Sequence, residues 1–292
     1  MIYDIRHVTS YSYENPVGFA RCTLRLEPRT LAGQQLVSHA VDIRPRPASR
    51  TLRQDFFGTK TESILIEHPH RHLRIDSRSR VSVTRIAPKR DSFSPGWEEV
   101  RDLAFQSIGL GAMSPIHFVF DSPLVPTLPE VTQFARQSFG PGQGIFAGAL
   151  DLMRRVWTEF RYDAKATVIA TPLHEVFDRR HGVCQDFAHV MIAGLRGLGL
   201  PSAYVSGYLR TIPPEGQPRL QGSDASHAWV SVWCGAELGW VDFDPTNNLL
   251  GAQDHITVAM GRDFSDVSPV DGVIVGARRQ KLTVAVDVVV VE

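Results

Sequence analysis

Cysteine is scarce in this chain of 292 residues: there are three, Cys22, Cys184 and Cys234, and no CxxC pair. An odd, sparse count argues against a disulfide framework and against a cysteine-rich zinc site. An excess of charge is also missing, since Lys plus Arg and Asp plus Glu each number 31. That balance removes the electrostatic reason to expect nucleic acid or an anionic membrane as a partner. No uninterrupted apolar run approaches the roughly 20 residues that a bilayer span requires. The opening MIYDIRHVTSYSYENP carries Asp4, Arg6 and Glu14 and lacks an apolar h-region. A signal peptide is therefore not expected, and the chain is expected in the cytoplasm. Neither an internal repeat nor an HExxH motif occurs, and no cofactor is expected.

What is present reads as an ordinary globular protein, 43% apolar and 21% charged, long enough for one large domain or two modest ones. Residues 1–86 read as β structure. Ile2 to Val8 and Ala20 to Leu26 have strand length and alternation, and Val37 to Ile43, Glu62 to Glu67 and Leu73 to Ile86 follow in the same style. Residues 87–98, APKRDSFSPGWE, lose the alternation and are expected to be a linker. Helical spacing then predicts helices over Trp97–Ser107, Pro129–Phe139 and Ile145–Phe160, with Thr171-Pro172 opening a short one towards Arg180. A further helix is predicted from Cys184 to about Leu198, ended by Gly199 and Pro201. Strands return over Ala203–Leu209, Ala228–Cys234, Gly239–Phe243, His255–Met260 and Lys281–Val291. The expected division is 1–86 as a β-rich domain, 87–98 as linker, and 99–292 as a core that includes the C-terminal strands.

Three segments carry candidate chemistry: HGVCQDFA from His181, SHAWV from Ser226 and GWVDFDPT from Gly239. A cysteine attacks carbonyls well only as thiolate, and a free thiol is mostly protonated at neutral pH. The first turn of a helix favours the thiolate through unpaired N–H groups and the positive end of the macrodipole. The same N–H groups, especially that of Cys184, suit an oxyanion. A nearby imidazole and a carboxylate to orient it would complete a thiol triad. His227 opens one predicted strand, while Asp242 and Asp244 lie at the end of the next. A turn near Gly235–Gly239 would set those two ends side by side.

The series GVCQDFA, RGLGLPSAYVSGY, SHAWV and GWVDFDPT resembles the transglutaminase-like superfamily, which includes cysteine proteases and related thiol acyltransferases. Residues 1–86 resemble the β-rich region that precedes this core in a bacterial subfamily. The resemblance implies an α+β fold: a papain-like core, with a nucleophile helix packed on an antiparallel sheet, preceded by a sandwich-like β-rich domain. It places the nucleophile at Cys184, the base at His227 and the orienting carboxylate at Asp244 rather than Asp242, through the Trp240-x-x-x-Asp244 spacing. Tyr162, in Phe160-Arg161-Tyr162 ahead of the nucleophile helix, is the candidate for an aromatic oxyanion donor.

The expected activity is a cysteine peptidase or amidase acting through a thioester on peptide or isopeptide-like amides. A compact chain without evident acceptor modules has little means of excluding water. A transglutaminase-type acyltransferase to an amine and a non-catalytic peptide-binding module are the alternatives. Peptide or protein substrate is the expected partner, with a homo-oligomer left open. His68, His70 and His72 are read as an exposed stretch rather than a metal patch, and His181, Cys184, His189 and His227 lack a zinc-ligand spacing. Asp186 is read as holding the first turn of the nucleophile helix. Trp229 and Trp240 are read as packing behind the site, and residues 262–267 as a charged loop edging the cleft.

Overall fold

The computed structural model describes residues 1–211, 226–276 and 279–291. The N-terminal part contributes strands β1 (Ile2–Val17), β2 (Phe19–Leu24), β3 (Gln34–Arg44), β4 (Ser49–Gln54), β5 (Lys60–Ile66) and β6 (His70–Val83). The helical middle follows as α1 (Trp97–Phe105), α2 (Pro129–Arg136), α3 (Ile145–Glu159), the short strand β7 (Arg161–Tyr162) and α4 (Leu173–Arg179). Then come β8 (His181–Gly182), α5 (Cys184–Gly197), β9 (Ser202–Leu209), β10 (Ser226–Trp233), β11 (Trp240–Asp244), β12 (Leu249–Leu250) and β13 (His255–Gly261). A one-turn helix α6 (Phe264–Val267) precedes β14 (Val270–Val275) and β15 (Gln280–Val290). No helix among the described residues is long and apolar enough to cross a membrane.

The architecture is an α+β transglutaminase-like core with an N-terminal β-rich region, as the sequence led one to expect. Two four-stranded sheets, β15-β1-β6-β3 and β14-β2-β5-β4, form the sandwich. Between them lies an apolar layer that includes Val17, Cys22, Leu24, Ile64, Leu73 and Ile75. From β1 this layer takes Tyr13 and Val17, while alternation further back along the strand buries Tyr3 and Ile5 in the main core, with intermediate residues between them. Each fully buried side chain of this size contributes roughly 1.5–3 kcal/mol.

The C-terminal strands differ from their expected grouping. Their position in the chain groups them with the core, yet β14 pairs with β2 and β15 with β1 along its length, from Tyr3↔Val290 to Tyr13↔Gln280. Without them β1 and β2 would each end their sheet with an unpaired edge. The chain leaves the sandwich for the core and returns to close it.

In the core, β12-β11-β10-β9-β13 form an antiparallel sheet. α5 packs on β9 and β10 and is covered on its other side by α2, α3 and α4. It is apolar around most of its circumference, and Phe187 to Arg196 are all buried, which is the signature of a central helix. On the far face of the sheet, Trp229 packs with Phe118, Val205 and Met260, and Trp240 lies partly buried beside them. The predicted helix limits hold within a few residues, except that Pro172 rather than Thr171 occupies the N-cap of α4. Pro172 lacks a side-chain acceptor, and the Thr171 hydroxyl instead accepts from the Val168 amide.

Candidate active site

The loop before α5 is held by its own acidic residue. Asp186 Oδ2 accepts the Val183 amide at 2.8 Å and the Thr167 hydroxyl at 2.6 Å. This is the reaching-back half of a capping box, in which the third helical residue satisfies an amide ahead of the helix. Burial raises the Asp186 pKa, partly offset by those two hydrogen bonds. A Cβ on Gly182 would lie 2.5 Å from Asp186 Oδ2, so only glycine leaves room for the carboxylate. Cys184 follows as the first residue of α5, half-buried. As the first helical residue, its amide has no intrahelical carbonyl to bond.

β7 and β8 form a two-stranded parallel pair that sets Tyr162 opposite Gly182. The Tyr162 ring stands edge-on to Phe187, with centroids 6.5 Å apart, and 54% of the residue is exposed. Burial raises its pKa, as does the neighbouring Cys184. Tyr162 therefore borders the nucleophile loop from the solvent side.

β10 and β11 are paired from Trp233↔Trp240 to Val230↔Phe243. Past the end of this ladder His227 Nε2 meets Asp244 Oδ2 at 2.8 Å, with the two side chains 9% and 0% exposed. The other carboxylate oxygen accepts the amides of Thr246 and Asn247 at 3.0 and 3.2 Å. Oδ2 also accepts from Asn247 Nδ2 at 2.8 Å and from His255 Nε2 at 3.2 Å. An ionised carboxylate only accepts, so both imidazoles donate through Nε2. The 3.3 Å approach of Asn247 Nδ2 to His227 Nε2 is consequently two donors converging on one oxygen. With Nε2 committed, Nδ1 of His227 is the nitrogen left for Cys184.

Burial opposes an imidazolium at His227, but its hydrogen bonds with Asp244 and Cys184 outweigh this and raise its pKa to about 10. Burial likewise opposes the Asp244 carboxylate, while the hydrogen bonds from His227 and His255 hold it well below the usual carboxylate range. Asp242 points to a different partner: its Oδ2 lies 2.7 Å from Arg85 Nη1. The structure thus brings Cys184, His227 and Asp244 together and leaves Asp242 outside the cluster.

Cys184 and His227 line a cavity of about 280 Å3. Gln185 and Tyr204 complete its core side, and Thr9, Tyr11, Leu282 and Val284 of the sandwich wall the other. A larger depression of about 760 Å3 lies on the outside of the sandwich over Arg6, Arg78 and Arg80. No cysteine lines it, and its arginines pair with Asp76 and Asp4.

Several participants were invisible in the sequence. His255 lies on β13, three places from β11 in the sheet order, yet its Nε2 reaches Asp244. Nothing in its local pattern distinguishes it. Asn247 carried a weak signal as an Asx residue in the turn after DPT. The segment read as a charged loop instead forms α6, because Asp263 caps it: Oδ1 accepts the Ser265 amide and Oδ2 the Leu124 amide, both at 2.8 Å. Phe264 from this turn lines the cavity. His189 is buried on α5, where burial lowers its pKa to about 4 and its Nε2 accepts the Phe264 amide. Trp229 stands behind both His227 and His255, with ring centroids 6.1 and 5.2 Å away.

Residues 3–82 match the family described as the bacterial transglutaminase-like N-terminal region, and residues 132–245 match the transglutaminase-like superfamily. The second match spans Cys184, His227 and Asp244. The Mycobacterium tuberculosis protein Rv2569c is 37% identical over 98% of this chain and 92% of its own length. ML0607 of Mycobacterium leprae is 29% identical over 97% of this chain and 96% of its own. Among solved structures, a protein from Cytophaga hutchinsonii, proposed to be a cysteine protease, superimposes with a TM-score of 0.74 over 100% of this chain and 91% of its own. At 18% identity that likeness speaks to the fold.

Proposed function

This chain belongs to the transglutaminase-like superfamily, and on that premise we propose that it is a thiol hydrolase that cleaves amide bonds of peptide or isopeptide type. The observation that carries the reading is the pairing of His227 with Asp244 at the wall of the cavity into which Cys184 opens. Cys184 Sγ is the nucleophile, His227 the general base and acid, and Asp244 the group that fixes the imidazole.

His227 takes up the thiol proton, and the resulting imidazolium favours the thiolate. The thiolate attacks the amide carbonyl carbon, forming a C–S bond and moving the carbonyl electron pair onto oxygen. The Cys184 amide is placed to receive that oxyanion, and Tyr162 is the candidate second donor. Collapse of the intermediate breaks the C–N bond as His227 passes its proton to the departing amine. Water, deprotonated by the now neutral His227, attacks the thioester and releases a carboxylic acid and the thiol. Asp244 keeps its charge throughout and holds Nε2–H, so that Nδ1 faces the sulfur.

Incubation with a mixed peptide pool and a labelled primary amine tests this proposal. Hydrolysis yields new carboxyl termini that vanish in Cys184→Ala. Covalent transfer of the labelled amine onto substrate in their place overturns hydrolysis in favour of amine transfer. Absence of both products under conditions in which Cys184 reacts with electrophiles overturns catalysis on such amides.

A further inference from the structure

β1 and β15 carry an apolar face that begins in the core and outruns it. Val286 and Val288 are buried at 1% exposure, opposite His7 and Ile5. The next residues on the same face, Val284 and Leu282, are each 49% exposed and stand opposite Thr9 and Tyr11. The sheet continues with its face unchanged, but the core that covered it has given way to the cavity holding Cys184. Phe264 and Ile169 close that cavity from the core side, Ile169 being 59% exposed. Among the described residues that line the cavity there is no Asp, Glu, Lys or Arg. Apart from the Cys184–His227 pair itself, its polar wall groups are neutral: His7, for one, is fixed between Tyr208 and Thr9, at 3.0 and 3.2 Å, and burial lowers its pKa to about 4.

We propose that the cross-strand pairs Thr9/Val284 and Tyr11/Leu282 of the sandwich form the substrate-selecting wall of the active site, which takes an uncharged, apolar side chain of the acyl donor next to the scissile carbonyl. This rests on the thiol-hydrolase reading of the same cavity. An aliphatic or aromatic side chain would cover the half-exposed Leu282 and Val284 and remove apolar surface from water. A carboxylate or ammonium would shed its hydration in a wall that offers it no counter-charge, and is disfavoured. The C-terminal strand thereby acquires a role beyond closing the sheet: it carries specificity to a thiol supplied by another part of the chain.

The test is the rate at which Cys184 is labelled by N-acylated chloromethyl ketones that differ only in the side chain beside the carbonyl: Leu, Asp or Lys. In each, sulfur displaces chloride from the methylene carbon, and intact mass reads the product. Iodoacetamide, which has no such side chain, reports on the thiol alone. The Leu ketone is expected to label wild type at least about tenfold faster than the Asp and Lys ketones, a selectivity that apolar pockets supply. Leu282→Asp and Val284→Asp should each erase that preference, read as each ketone's rate divided by the iodoacetamide rate of the same variant. Equal rates for the three ketones on a wild-type protein whose Cys184 reacts with iodoacetamide overturn the inference alone, however the variants fold. A Cys184 that reacts with no reagent overturns the thiol reading together with the inference.

Discussion

Arg85 and Asp242 form an ion pair, Nη1 to Oδ2 at 2.7 Å, between the chain just after β6 and the middle of β11. Both side chains are 15% exposed, and Arg85 also reaches the Thr257 hydroxyl at 3.2 Å. Asp242 therefore serves the junction between the sandwich and the core, while Asp244, two residues on, serves the imidazole. Asp242→Ala should lower stability by about 1–3 kcal/mol, the cost of leaving a partly buried guanidinium without its partner, with turnover of the folded enzyme largely retained. Asp244→Ala should reduce turnover by roughly two to four orders of magnitude, as expected when a triad imidazole loses its orienting group. Chemical denaturation and steady-state kinetics on the two variants measure the contrast. The reverse ranking would move the third triad role to Asp242.

His255 donates to the oxygen of Asp244 that His227 uses. It touches neither the cavity nor the sulfur, so it positions the carboxylate. His255→Phe should reduce kcat by roughly tenfold to a hundredfold, the worth of one hydrogen bond to a charged group, with KM little changed. His255→Gln, which retains a donor, should recover part of the loss. A change confined to KM would contradict a positioning role.

Stability should fall on both sides of neutrality, for opposite reasons. His227 titrates at about 10 in the folded chain against an ordinary value of 6.5, so the folded state binds its proton more tightly. Its contribution is complete below about 6.5 and is lost as the pH rises through about 10. His7 and His189 are depressed from 6.5 to about 4 by burial, so their contribution is present above 6.5 and lost as the pH falls through about 4. Urea midpoints measured from pH 4 to 10 trace both limbs. His227→Phe should flatten the alkaline limb and spare the acid one. An alkaline limb unchanged in that variant would sever it from His227.

Asp186→Ala removes the acceptor for both the Val183 amide and the Thr167 hydroxyl. A stability loss of about 1–2 kcal/mol is expected from the capping contact. Because the loop it holds carries the nucleophile, the rate of Cys184 alkylation should fall as well. Thermal unfolding and alkylation kinetics read the two effects separately, and an unaltered alkylation rate would confine Asp186 to stability.

Much of this molecule was legible locally. The alternation in Ile2 to Val8, the apolar face of Phe187, Met191 and Leu195, and the turn before Trp240 each report on their nearest neighbours in the chain. Those features are the ones recovered. What stayed hidden depends on distant pairing. Nothing in Lys281 to Val291 says that it pairs with β1 rather than with the core sheet, since both offer an open antiparallel edge. His255 reaches Asp244 from a strand three places away in the sheet. Gly207 is similar: it stands opposite His227, where a Cβ would meet the Trp229 ring at 2.4 Å, a constraint of packing that leaves no periodic trace.

The central claim is that His227 activates Cys184, and the rate of Cys184 alkylation by iodoacetamide at pH 6.5, in wild type and in His227→Ala, tests it most directly. If the imidazolium holds the sulfur as thiolate, wild type should react at least about tenfold faster than the variant, in which the thiol is left as an ordinary, largely protonated cysteine. Equal rates in the two folded proteins would contradict the account.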